Sequence, residues 1–161
     1  MKPTKLFFLL LTSITLLNSC KKGIGELKDN NSQMAFKVDG VNKKNWGDEN
    51  VQTFYFKKEK TMQILGNMIT ENISLTIYPF RGVGEYDAET EVLATYSPSN
   101  DDNIADAYIG VSGKIKITSF VDNRVKGEFS FVADDTSGKL KKITEGTFDS
   151  KVSVMEMPVT P

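Results

Sequence analysis

Residues 113–133 read GKIKITSFVDNRVKGEFSFVA, and their alternation sets the fold class. Ile115, Ile117 and Val121 fall on one side of an extended run, and Val125, Phe129 and Phe131 on one side of the next. Apolar residues spaced two apart mark half-buried strands. Asp122 and Asn123 between the runs are turn formers, so the stretch is a β-hairpin. Residues directly opposite on paired strands point to the same side. A two-residue turn at Asp122 and Asn123 sets Ile117 against Glu128, which conflicts with the pattern. A three-residue loop sets Val121 against Val125, Ser119 against Gly127, Ile117 against Phe129 and Ile115 against Phe131. The pattern therefore predicts an odd-length loop, with Phe129 and Phe131 in the core.

Downstream, residues 134–139 are a turn cluster and 140–154 a long strand. Its inward positions run Ile143, then Phe148, Val152 and Val154. The change of parity predicts a bulge at Glu145 and Gly146, with the glycine left-handed. Upstream, residues 97–106 are a polar loop. Over 87–96, Ala88, Glu89, Glu91, Leu93 and Ala94 are good helix formers, so a helical turn competes there. Residues 72–78 form a strand that Pro79 ends. Residues 51–57 and 61–68 pair through Lys58, Glu59 and Lys60, with Phe54 and Phe56 facing Met62 and Ile64. Residues 34–39 and 41–46 pair through Asp39 and Gly40, a strong hairpin signal. The lone Trp46 reads as a core-edge residue before it reads as a ligand platform. The whole predicts an all-β, mainly antiparallel β-sandwich or barrel of about eight or nine strands.

Residues 1–19 have the parts of a secretory signal: Lys2 and Lys5, an apolar run over 6–17, and the small Ser19. The run is too short to cross a bilayer, which takes about 20 residues. A plain signal wants a small residue three positions before the cut, where Leu17 stands. Leu17, Asn18, Ser19 and Cys20 read instead as a lipobox, whose cysteine becomes an acylated N-terminus. Each buried methylene contributes about 0.8 kcal/mol, so several chains on Cys20 hold almost permanently. The expected organisation is a signal peptide over 1–19, a flexible tether over 20–33, a β domain over 34–157 and a frayed tail over 158–161. Lys21 and Lys22 stand where a surface-export signal carries acids, which favours the periplasmic side of the outer membrane.

Removing residues 1–19 takes two lysines and no acids, leaving 18 basic against 21 acidic side chains. That balance makes no case for nucleic acid or for a basic membrane-binding face. The chain has no histidine and one cysteine. With Cys20 acylated, a cysteine nucleophile, a Ser-His-Asp triad and a structural zinc site are excluded. No cofactor is implied.

Three clusters are candidates for chemistry. Glu85, Asp87 and Glu89 have the E-x-D-x-E spacing of one class of β-sandwich glycosidases, with Glu85 and Glu89 as the acid pair. The bland reading is a solvated turn. Asn100, Asp101, Asp102, Asn103 and Asp106 offer oxygen ligands to calcium but miss the EF-hand spacing, and read otherwise as a hydrated loop. Tyr78, Tyr86, Tyr96 and Tyr108, with Trp46, could form a sugar-stacking face, although tyrosines in small β domains more often bridge core and solvent.

The run at 113–133, followed by ITEGTFD, resembles small Bacteroidota-type outer-membrane lipoproteins of unknown function. FKVDG with its later tryptophan, and GEY at Glu85, resemble the same group. The resemblance implies an antiparallel sandwich or barrel and supplies no catalytic residues. The expected function is a non-enzymatic, lipid-anchored envelope module that binds a glycan or an envelope protein. The alternatives are an accessory carbohydrate-binding lipoprotein and a small glycoside hydrolase using Glu85 and Glu89.

Overall fold

The computed structural model describes residues 31–99 and 107–156, and no helix occurs among them. Ten strands follow one another: β1 (Gln33–Val38), β2 (Val41–Trp46), β3 (Val51–Phe56), β4 (Thr61–Asn67), β5 (Asn72–Ile77), β6 (Gly84–Asp87), β7 (Val92–Ser97), β8 (Tyr108–Val121), β9 (Arg124–Asp134) and β10 (Leu140–Met155). The sequence count of eight or nine falls one or two short, at β6 and β7, where helix formers compete. The Asp87 carboxylate settles that competition. It accepts from the Glu89 amide at 2.8 Å and the Thr90 amide at 3.1 Å, which turns the chain sharply between two strands.

Of sandwich and barrel, the barrel forms. β10 pairs with β9 on one side, and on the other with β1 and then, at its end, with β3. From β3 the neighbours run β4, β5, β7, β8 and β9 and return to β10, closing seven strands. The β3–β10 contact is parallel and all other pairs are antiparallel. Closure leaves the ring no open edge. The β1–β2 hairpin lies outside the ring on β10, and β6 lies outside it on β8.

Inward positions alternate along the strands and fill one core, with Ile64, Leu75, Ile115, Ile117 and Ile143 wholly buried. Each such side chain contributes about 1.5–3 kcal/mol by leaving water. Phe129 and Phe131 are in this core at 3% exposure, as expected. Their predicted register is not what forms. Asp122 and Asn123 make a two-residue turn, both at positive φ (51° and 53°), pairing Val121 with Arg124. The extra residue that the pattern requires is Thr118, a bulge within β8 between the Ser119–Lys126 and Ile117–Gly127 pairs. Ile115 thus faces Phe129, while Val121 is exposed and Phe120 turns inward.

The β10 bulge lies where expected, between Ile143 and Gly146. The left-handed residue is Glu145 (φ 51°), not the glycine. Gly146 supplies space: a Cβ there would stand 2.5 Å from the Phe129 ring. β3 also reverses its predicted faces. Val51, Thr53 and Tyr55 point inward, opposite Gly66, Ile64 and Met62, and Phe54 and Phe56 lie half-buried on the outside. The Tyr55 ring packs edge-on against Phe80 and Phe120, which fixes that choice. Val154, predicted inward, is exposed where β10 runs out.

Candidate functional site

β2 is the free edge of its hairpin, and alternation divides its side chains. Lys43 and Asn45 turn toward the barrel, and Lys44 and Trp46 turn away. Asn45 is buried, and its amide donates to the Asn50 carbonyl at 3.0 Å and the Asn67 carbonyl at 2.6 Å. It thereby ties β2 to the ends of β3 and β4. Across the seam, the β4–β5 loop closes on itself through the Met68 amide and the Glu71 carbonyl, 2.8 Å apart. That closure turns Glu71 back toward the barrel at 8% exposure.

The Glu71 carboxylate is satisfied on both oxygens. One takes a charge-assisted hydrogen bond from the Lys43 ammonium. The other accepts from the Tyr96 hydroxyl at 2.5 Å. Burial, and then the adjacent carboxylate, push the Tyr96 hydroxyl well above its ordinary range, so it stays a donor. In front of this pair lies an open hollow of about 390 Å³, lined by residues that include Trp46, Asn50, Asn67, Ile69 and Thr70. Pockets that hold small ligands begin near this size.

Trp46 stands on the rim at 59% exposure, with the Lys44 ammonium 4.8 Å from the ring centroid. The core-edge reading of Trp46 is therefore corrected. The outward parity of β2 carries it to solvent, because the inward place next to it belongs to Asn45. An exposed indole face can stack a planar or pyranose ring, and the amide and ammonium donors beside it can hydrogen-bond that ring's hydroxyls.

The other expected candidates are dispersed. Glu85 lies on β6, exposed, and pairs with Lys114 at 3.1 Å. Glu89 lies in the turn after β6, also exposed. The strand ends at Asp87, so the three acids do not share one strand face. A larger shallow hollow of about 640 Å³ borders Glu85, over β8, β9 and β10. Glu85 pairs there with Lys114 and Glu145 with Lys37, while Lys116 and Glu128 face each other in the β8–β9 register. Tyr86, Tyr96 and Tyr108 are buried and Tyr78 is exposed, so no tyrosine face forms with Trp46. Cys20 and the loop of Asn100, Asp101, Asp102, Asn103 and Asp106 lie outside the described residues. Among the described residues no group of acids, histidines or cysteines is placed to hold a metal ion. Glu71 and Lys43 escaped sequence reasoning, since a glutamate between Thr70 and Asn72 has the look of any turn residue.

A family model described as a domain of unknown function (DUF6252) matches residues 30–151. No curated protein and no solved structure matches the chain.

Proposed function

The chain belongs to the DUF6252 family, and we propose that it is a lipid-anchored, non-enzymatic module of the cell envelope that binds a glycan at the seam beside Trp46. The anchor is Cys20, and the resemblance to outer-membrane lipoproteins of Bacteroidota type supports that placement. The exposed indole carries the binding reading. A tryptophan is the largest apolar side chain a protein can leave in water, and here it borders a hollow lined with amides, a hydroxyl and charged groups. That mixture suits a sugar, which offers apolar ring faces and polar hydroxyls together.

Trp46 is the only tryptophan, so its fluorescence reports this seam alone. Titration with soluble oligosaccharides, of envelope and of plant origin, should give a saturable change in emission for at least one class. Trp46→Ala should abolish the binding, measured by calorimetry, and no sugar should be released during incubation. Saturable release of product, lost in both Glu85→Gln and Glu89→Gln, would replace this reading with a hydrolase. Binding that survives Trp46→Ala would move the site elsewhere.

A further inference from the structure

We propose that the glycan at the Trp46 seam is a linear, uncharged polysaccharide, and that its chain continues from Trp46 across the outer face of six strands to Glu85. This rests on the glycan reading above and names the form of its ligand. Strand register sets the path. Lys44 on β2 lies opposite Ala35 on β1, and Ala35 lies opposite Thr147 on β10. Thr147 lies opposite Glu128 on β9, Glu128 opposite Lys116 on β8, and Lys116 opposite Glu85 on β6. Residues directly opposite point to the same side. These six therefore form one row on the outside of the sheet, while their neighbours Met34, Phe148, Phe129 and Ile115 are buried in the core. Six strands leave five spacings, so the row runs about 24 Å, the reach of an oligosaccharide and not of a single sugar ring. Trp46 stands two positions along β2 from Lys44, on the same side, at the head of the row.

The row is sunk in its middle. Ala35 and Thr147 are short, and Gly146 next to Thr147 has no side chain, whereas long side chains stand at either end. The hollows that result run into one another. Lys44 borders both the hollow beside Trp46 and one of about 160 Å³ over β1 and β10. Thr147 borders that second hollow and the one of about 640 Å³ that reaches Glu85.

Charge and hydrogen-bonding chemistry select the occupant. The two lysines and two glutamates of the row cancel. The charges beside it are paired: Glu145 with Lys37, Glu85 with Lys114, and Asp149 with Arg124 and Lys126. Such a surface gives a polyanion or a polycation no net attraction. Past Trp46 the row is small or polar throughout, so it offers an apolar partner nothing. Carboxylates accept and ammonium groups donate, and a path that presents both serves hydroxyls, which do both. Exposed ion pairs are weak enough to be exchanged for those bonds.

The test is calorimetry on the full-length protein in detergent. Cellohexaose, xylohexaose and mannohexaose are each compared with the matching disaccharide, and hexagalacturonate is the charged probe. At least one neutral hexasaccharide should bind several-fold tighter than its disaccharide, with little dependence on salt. Thr147→Arg and Thr147→Glu set a long side chain of either charge on the floor of the trough, at an exposed position. With folding verified by circular dichroism, both should bring the hexasaccharide down to the affinity of its disaccharide. Equal affinity for the two lengths overturns the trough and leaves the Trp46 site standing. A gain with length that both Thr147 variants keep puts the chain elsewhere and also overturns it. Hexagalacturonate binding tighter than every neutral hexasaccharide overturns the uncharged class. Binding of no probe overturns the trough and the glycan reading together.

Discussion

Glu71 stands between a cation and a hydroxyl, with almost no water to solvate it. Its stability depends on both partners, because a buried carboxylate that loses one keeps its desolvation cost. Tyr96→Phe removes one donor and leaves the Lys43 pair, which should cost about 1–2 kcal/mol. Glu71→Ala strands the Lys43 ammonium and the Tyr96 hydroxyl, and should cost about 3–5 kcal/mol. Urea denaturation followed by circular dichroism separates the two. Equal small losses would mean that water replaces the carboxylate freely. Lys43 and Glu71 also form the inner wall of the Trp46 hollow, so Glu71→Ala should weaken any ligand held there.

At the scale of strands, the β10 bulge divides two demands between neighbours. Glu145 takes the left-handed backbone, which costs a non-glycine residue about 1–2 kcal/mol. Gly146 takes the position where a side chain would strike Phe129. Glu145→Gly should therefore stabilise the domain by up to about 1 kcal/mol, less the small exposed pair with Lys37. Gly146→Ala should destabilise it, since Phe129 is packed in the core and cannot yield. Thermal melts of the two variants should move in opposite directions, and a common direction would refute this division. The bulge itself was legible in the sequence, because Ile143 and Phe148 differ in parity. The Thr118 bulge was not, because an odd loop accounts for the same parity without it. β6 and β7 were hidden by helix formers, whose propensity is weak against an Asp87 carboxylate that caps the turn. Trp46 was misjudged for a related reason: size argues for burial, but the parity of β2 is set by Asn45 and its two carbonyl partners. Barrel closure depends on the parallel β3–β10 pair, whose partners lie about a hundred positions apart in sequence, and no local pattern announces it.

Across the whole molecule, β10 is the strand to which other parts are fastened, and carboxylates do much of the fastening. Asp39, in the β1–β2 turn, accepts from Lys141 at 2.7 Å and from the Lys142 amide at 2.9 Å. Asp48, in the β2–β3 loop, accepts from Lys151 and from the amide and hydroxyl of Ser32. Asp149 accepts from Arg124 at 2.5 Å and Lys126 at 2.9 Å on β9. The lysine hydrogen bond leads in holding Asp39 below the usual carboxylate range. The Lys151 hydrogen bond and those from Ser32 hold Asp48 down to about 2. At Asp149 burial opposes ionisation, and the Arg124 and Lys126 hydrogen bonds outweigh it. A carboxyl depressed in the folded state stabilises the fold above its unfolded pKa, and that contribution is lost as pH falls through the folded value. The chain has no histidine, so no side chain of ordinary pKa titrates between about pH 5 and 8. The urea midpoint should therefore be flat across that window and fall between about pH 4 and 2. Asp149→Asn should lower the midpoint at neutral pH and make the acid slope shallower, since it removes one of the depressed groups while leaving Arg124 and Lys126 without their shared partner. A midpoint already falling between about pH 7 and 5, or an acid slope unchanged in Asp149→Asn, would show that these three aspartates do not fasten β10.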